Sequence, residues 1–174
     1  TYSSGYHEAI YFKQAMAAIA QRVRQVSPRA PVGPLRVGWS SHPMTPPVGT
    51  PLAGYGDRKG SPSTGIHDEL FAKALAFSDG RDSAVIVGTD LLIVPENVAE
   101  RVRTHVSART TLTAHDILFT ASHNHSGPGG FAPGLASRLF NGPYDPNTAD
   151  DLTEAVCQAI VAARIATIAI PLIK

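Results

Sequence analysis

The first apolar positions of the chain recur every three or four residues and predict a helix over about residues 7–26. They form one stripe, which consists of Phe12, Met16, Ile19, Val23 and Val26. Because the polar face of this helix lacks a basic cluster, we expect the stripe to dock on a core rather than on a membrane surface. Prolines then interrupt the helix. We therefore expect two parts: an N-terminal helix with a Pro-rich connector over residues 1–34, and an α/β domain over residues 35–174.

Apolar runs after residue 34 predict the strands of a sheet. Residues 35–40 are expected to form a short strand. Residues 69–78 fit either a helix or a strand, but the DGRD turn after them and the strand-like segment 83–94 favour a hairpin. The unbroken run Val85–Val87 is typical of a strand that is covered on both faces.

A βαβ unit follows the hairpin. Pro95 stands at the permitted first turn of a helix, and its stripe is Val98, Val102 and Val106. Residues 116–122 (DILFTAS) then predict another buried strand, parallel to the one before the helix. The predicted class is therefore α/β with a mixed sheet, a βαβ unit and flanking helices. A last helix is expected over about residues 149–164, before a strand-like end; its inward residues are Leu152, Val156, Ile160 and Ala163.

Charge and composition exclude several classes of protein. The chain has 15 Lys and Arg against 14 Asp and Glu, so it lacks the basic excess of a nucleic-acid-binding protein. Its single cysteine, Cys157, excludes an intrachain disulfide framework and is expected to fill the core. No apolar stretch is long enough to cross a membrane. Because the chain opens with Thr1 instead of Met, we expect a processed or partial chain.

A turn-rich segment over residues 41–65 separates the first two predicted strands. Such a length without regular structure is uncommon in a compact domain unless it serves a site. A disordered linker is the alternative. Apolar residues within the segment, among them Met44 and Leu52, favour an ordered and functional loop.

The strongest candidate site is the loop Ser122–Gly130 (SHNHSGPGG), directly after a buried strand. Ligands bind at the carboxyl edge of open α/β sheets. His123 and His125 are two residues apart, so on an extended chain both can face one site, and neutral imidazole is a good zinc ligand. The glycines that follow, Gly127 and Gly129, would let the backbone approach a bound substrate closely. The alternative is a pair of histidines with no role.

Three further residues are weaker candidates. Asp90 ends the preceding parallel strand and could orient a ligand histidine, or it could be a loop or capping aspartate. His67 could line the pocket, or make a structural hydrogen bond. Tyr55, between two glycines, could form a pocket wall or simply pack within the loop.

Four sequence blocks between about Leu35 and Phe131 are distinctive. They read LRVGWSSHPMTPPVGTPLAGYG, TGIHDELFAKALAF, VIVGTDLL and LFTASHNHSGPGG. In this order they resemble the amino-terminal part of the neutral/alkaline non-lysosomal ceramidase family, and TPPVGTPLAGYG and SHNHSGPGG are the specific pieces.

The resemblance implies a zinc-dependent amide hydrolase that cleaves an N-acyl lipid, such as ceramide, to sphingosine and fatty acid. It implies that His123 is a zinc ligand and that His125 lies beside the metal and helps to bind or polarise the reacting group. Relatives are often secreted or membrane-associated, so the resemblance also implies a secreted, periplasmic or membrane-associated protein and association with a membrane surface. The sequence leaves the compartment and the oligomeric state open.

The remaining zinc ligands of this family, a histidine, a glutamate and a tyrosine, come from further downstream than Lys174. We therefore expect these 174 residues to be part of an enzyme. The alternative is a non-catalytic, ceramidase-like binding or accessory domain. A third interpretation, a different metallohydrolase that also opens its site with His-x-His, is disfavoured because Gly127 and Pro128 stand where its next ligand would follow.

Overall fold

The computed structural model describes residues 4–25, 32–165 and 168–169. Contacts divide the chain into two units, Thr1–Ala30 and Pro31–Lys174. The boundary that the sequence predicts at residue 34 stays a prediction.

The first unit contains a 3-10 turn, Ser4–Glu8, and helix α1, Ile10–Gln25. The predicted helix is thus confirmed. The expected burial of its apolar stripe is not confirmed, because no described residue of α1 is buried. Val26 lies outside the described residues. The side chains of Met16, Ile19 and Val23 are 48%, 54% and 66% exposed.

The second unit is built on a five-stranded sheet in the order β4-β3-β2-β1-β5. Strands β3 and β4 are parallel, and the other neighbours are antiparallel, so the predicted α/β class with a mixed sheet is confirmed. The elements are β1 (Arg36–Pro43), β2 (Phe71–Ser78), β3 (Ser83–Thr89), α2 (Glu96–Arg109), β4 (Ile117–Ala121), α3 (Leu135–Asn141), α4 (Pro146–Ile165) and β5 (Ile168–Ala169).

The predicted hairpin is β2–β3, and the predicted βαβ unit is β3–α2–β4. The inward stripes of both helices are buried as their periodicity indicated: Val98, Val102 and Val106 on α2, and Leu152, Val156, Ile160 and Ala163 on α4. The sequence did not predict α3. None of the helices in the described part of the chain has the length and apolar character that a membrane span requires.

Helix α4 lies against β1 and β2, and α2 lies against α4. Small residues of β2, Ala72, Ala74 and Ala76, are buried under α4 and let it approach closely. No described helix of the second unit packs on the opposite face of the sheet, the open face. The prediction that the run Val85–Val87 is covered on both faces is therefore wrong for this structure, since Ile86 is 41% exposed. The prediction that β4 is a buried strand is also wrong for its open face, where Leu118 is 58% exposed.

The turn-rich segment after β1 is ordered, as predicted. Its residues pair with the loop that follows β4: Ala53 N–H donates to the carbonyl of Gly127 at 3.0 Å, and Gly129 N–H donates to the carbonyl of Pro51 at 2.6 Å. Met44 and Ala53 are buried. The turn-rich segment and the loop after β4 are thus joined by backbone hydrogen bonds at one end of the sheet.

Candidate active site

The histidine loop is fixed to the carboxyl edge of the sheet. After β4 ends, the backbone continues the parallel pairing: Ser122 N–H donates to the carbonyl of Thr89 at 3.0 Å, and Asn124 N–H donates to that of Leu91 at 3.1 Å. The loop therefore leaves the sheet at the edge where ligands bind in α/β folds.

His123 is held in one tautomer by the segment after β3. Its Nδ1 lies 2.9 Å from the carbonyl oxygen of Leu92. Because a carbonyl can only accept, Nδ1 carries a proton, and in the neutral imidazole Nε2 then keeps its lone pair. A histidine fixed in this way is prepared for metal ligation through Nε2. The backbone of His123 has φ 60°, a left-handed conformation that non-glycine residues adopt at some cost and that is frequent at functional sites.

His125 lies beside His123, with ring centroids 4.9 Å apart and planes at 81°. Its Nδ1 is buried and has no hydrogen-bond partner. Gly54 lies directly against this ring, because a Cβ at Gly54 would stand 2.4 Å from Nδ1. The two rings are thus close together, although the left-handed backbone of His123 departs from the extended chain that the sequence prediction assumed.

Tyr55 and Arg58 complete the surroundings of His125. The centroid of the Tyr55 ring lies 4.5 Å from that of the His125 ring. The guanidinium carbon of Arg58 lies 5.1 Å from the centroid of the same Tyr55 ring. Nη1 of Arg58 also donates to the carbonyl of His125 at 2.6 Å. Sequence reasoning did not single out Arg58, since an arginine in a turn carries no local signal of a partner so distant in the chain.

Asp90 and His67 have other partners. The carboxylate of Asp90 accepts from the backbone N–H of Phe71 at 3.0 Å, which ties the end of β3 to the start of β2. This contact supports the structural alternative for Asp90 rather than the orientation of a ligand histidine. His67 is exposed, and its Nδ1 lies 2.6 Å from the carboxylate of Asp68.

Gly127 and Gly129 approach the protein's own backbone closely. A Cβ at Gly127 would lie 3.0 Å from the carbonyl oxygen of Asp90, and one at Gly129 would lie 2.1 Å from that of Asn141. Both glycines are buried. Their position supports a role in packing the loop. The prediction that they contact substrate gains no support from this packing.

A groove of about 420 Å³ opens beside the loop. Alternate residues of the loop, Asn124, Ser126 and Pro128, line the groove, whereas His123 and His125 do not. Its other walls include Thr45, Leu52, Ile66 and His67, from the stretch between β1 and β2. Since this groove does not include the histidine pair, the place of His67 in a wall of the histidine site stays a prediction.

The histidine loop carries few donors for a metal among the described residues. At the histidine loop, the chemistry of His123 suits zinc, but a catalytic zinc ordinarily takes three protein ligands, and this loop offers the histidine pair alone. Within the described residues, the one group of three donors close to one another is His105, Glu154 and Cys157, whose ligand atoms lie within 4.8 Å. It lies between α2 and α4, away from the loop.

The hydrogen bonds and protonation of the group His105, Glu154 and Cys157 do not favour metal binding. The carboxylate of Glu154 is hydrogen-bonded to Arg109 and Gln158, and the bond to Arg109 lowers the pKa of Glu154. Burial raises the pKa of the Cys157 thiol to about 11, so the thiol stays protonated at neutral pH. Cys157 is buried, as its inward helical position predicted.

Comparisons with known proteins agree with the sequence motifs. The family model for the N-terminal part of neutral/alkaline non-lysosomal ceramidases matches residues 35–169. The neutral ceramidase of Mycobacterium tuberculosis (strain ATCC 25618 / H37Rv) is 26% identical over 115 residues, which are 63% of this chain and 18% of that protein.

Two solved structures have the same fold. A ceramidase complexed with C2 superposes with a TM-score of 0.72 at 21% identity, and the neutral ceramidase of Pseudomonas aeruginosa with 0.70 at 23%. Each match covers 78% of this chain and 22% of the solved chain. The chain thus spans about a fifth of the length of these relatives. Since the family match covers most of its residues, the chain belongs to the neutral/alkaline non-lysosomal ceramidase family.

Proposed function

We propose that this chain is part of a zinc-dependent amide hydrolase that cleaves an N-acyl lipid such as ceramide to sphingosine and fatty acid. His123 is the zinc ligand in this proposal, and His125 acts beside the metal. Family membership supports the class of reaction, because the relatives are ceramidases. The partner is then a lipid or N-acyl small molecule, met at a membrane surface.

The observation that carries the proposal is the hydrogen bond between His123 Nδ1 and the Leu92 carbonyl. It fixes both the tautomer and the orientation of the ring, so that Nε2 is free to bind a cation without further rearrangement. A surface histidine without a role needs no such fixed tautomer.

Zinc, when bound, polarises an amide carbonyl and lowers the pKa of water. The chain's own residues supply orientation. Tyr55 and Gly54 confine the ring of His125 on two sides, and Arg58 holds its backbone through the bond to the carbonyl oxygen. A ring confined in this way can hold a proton or a reacting carbonyl in a fixed direction.

The second candidate is a non-catalytic, ceramidase-like binding or accessory domain. The observation in its favour is the short set of donors at the histidine loop, because one ligand alone does not hold a catalytic zinc. The two proposals differ in one measurable property: the metal content of the protein expressed from the complete gene.

The test is the zinc content of that protein by mass spectrometry, with hydrolysis of ceramide measured on the same preparation. We expect about one zinc per chain, lost in His123→Ala, and we expect His125→Ala to keep zinc and lose hydrolysis. His115→Ala is the matched control, because His115 is an exposed histidine in a turn before β4. Protein that takes up no zinc would favour the accessory domain, and His123→Ala with unchanged zinc would refute the ligand assignment.

A further inference from the structure

The open face of the sheet carries a row of large apolar side chains. The row takes one residue from each of four strands, and its members are neighbours in register: Trp39 beside Leu75, Leu75 beside Ile86, and Ile86 beside Leu118. Their exposed fractions are 64%, 38%, 41% and 58%. We call these four residues the open-face row. Contiguous apolar surface of this kind marks an interaction site in a soluble protein.

The apolar side chains of strand β2 are larger on the open face. On β2, Leu75 and Phe77 belong to it, whereas Ala74 and Ala76 belong to the face that α4 covers. The register identifies the covered face independently, because Ser40, which pairs with Ala74, donates a hydrogen bond to the carbonyl of Ala159 on α4. Strand β2 thus presents its larger apolar side chains away from the helices.

The open face also lacks the polar pattern of a sheet that faces water. Such sheets alternate apolar residues inside with polar residues outside. Among the strand positions that share this face in the described residues, Lys73 alone is charged. Its row otherwise holds small or weakly polar residues, Ser41, Gly88 and Thr120. The strands therefore have the composition of a sheet that is covered on both faces, although the described helices of this unit cover one face alone.

We propose that the open-face row is the packing surface for a second apolar layer, which further polypeptide of the same protein supplies. The lengths of the relatives are the reason for proposing further polypeptide of the same protein as this layer. The fold described here covers 22% of each solved ceramidase chain, so most of each of those chains lies outside the matched region. A second copy of the 174-residue chain is the competing occupant, and the test separates the two. This proposal does not depend on zinc or on hydrolysis.

The test is site-specific thiol labelling. Ile86→Cys is prepared in the 174-residue chain and in the protein expressed from the complete gene, treated with N-ethylmaleimide, and read out by peptide mass spectrometry. In the 174-residue chain we expect fast labelling, and in the complete protein labelling at least about tenfold slower, because a covered thiol reacts only through local opening. Leu118→Cys, on a different strand, repeats the measurement should Ile86→Cys fold poorly.

Two reference thiols calibrate the experiment. Cys157 lies on α4, is buried against Val102 of α2 and has a raised pKa, so it should label slowly in both proteins. Ser107→Cys is the matched control, because Ser107 is exposed on α2 and belongs to neither face of the sheet.

Equally fast labelling of Ile86→Cys in both proteins would overturn the proposal. Slow labelling in the 174-residue chain would overturn it as well. If light scattering then shows a dimer, a second copy is the occupant, and if it shows a monomer, the chain covers the row by itself. Hydrolysis is not a readout here, so failure of the proposed function leaves this result interpretable.

Discussion

Gly54 and the imidazole of His125 are in direct contact: a Cβ on Gly54 would lie 2.4 Å from Nδ1 and 2.8 Å from Cγ of the ring. Gly54 also has φ 81°, a left-handed conformation that favours glycine. Two physical requirements, space and backbone conformation, therefore fix the residue type at this position. The identity of residue 54 sets where the second histidine of the site can lie.

We expect Gly54→Ala to displace the His125 ring and to destabilise the fold by about 1 to 3 kcal/mol, since the methyl group overpacks a strained position. Chemical denaturation measures the stability, and the imidazole resonances of His125 in NMR report the displacement. Gly65→Ala is the matched control, because Gly65 has nothing within 4 Å of an added Cβ and lies in an ordinary backbone region. Unshifted His125 resonances in Gly54→Ala would contradict the contact.

Gly129→Ala separates a steric clash from backbone strain. An added Cβ would lie 2.1 Å from the carbonyl oxygen of Asn141, a backbone atom that cannot swing away. Gly134 offers the opposite case, with φ 105° and open space around the added atom. We expect Gly129→Ala to cost on the order of 1 to 3 kcal/mol in urea denaturation and to exceed the cost of Gly134→Ala. A larger loss in Gly134→Ala would show that strain outweighs the clash.

Asp145 makes the start of α4 sensitive to acid. Its carboxylate accepts from the Thr148 hydroxyl at 2.8 Å and from the N–H groups of Asn147 and Thr148, as an N-cap residue does. These bonds, the Thr148 hydroxyl first, hold the pKa of Asp145 below its ordinary value of 3.8. The stability that this carboxylate contributes is therefore present above that value and is lost as the pH falls through the folded pKa.

Asp145→Asn tests this dependence, because asparagine also caps helices but does not titrate in this range. We expect the Tm of the wild type to fall relative to that of Asp145→Asn as the pH is lowered from neutral to below 3.8. Thermal unfolding followed by circular dichroism over this range measures the difference. A constant difference across the range would exclude Asp145 as a source of acid sensitivity.

The sequence predicted the sheet and its helices because burial imposes a period on them. The apolar residues of α2 and α4 recur at helical spacing, and the strands on either side of the DGRD turn are apolar runs that end at turn residues. The position of His123 also followed from the sequence, since a loop after a buried parallel strand must leave the sheet at its carboxyl edge.

Other features have no local signal. Helix α3 is short, and its apolar residues Leu135, Leu139 and Phe140 are exposed, so no amphipathic pattern marks it. The carbonyl of Leu92 and the side chain of Arg58 reach the histidines only through the tertiary fold, and no spacing in the chain predicts such partners. The exposure of Ile86 was mispredicted because the sequence shows what a strand can bury and not what is present to cover it.

The pairing of Pro51 with Gly129 and of Ala53 with Gly127 joins two segments that flank the β2–β3 hairpin and the βαβ unit in the chain. Bringing such distant segments together costs loop-closure entropy, which the formation of the intervening sheet reduces by fixing both ends near each other. We therefore expect the histidine site to form late in folding, after strands β2 to β4 have paired. In native-state hydrogen exchange, we then expect the amides of Ala53 and Gly129 to open at lower free energy than those in the middle of β3.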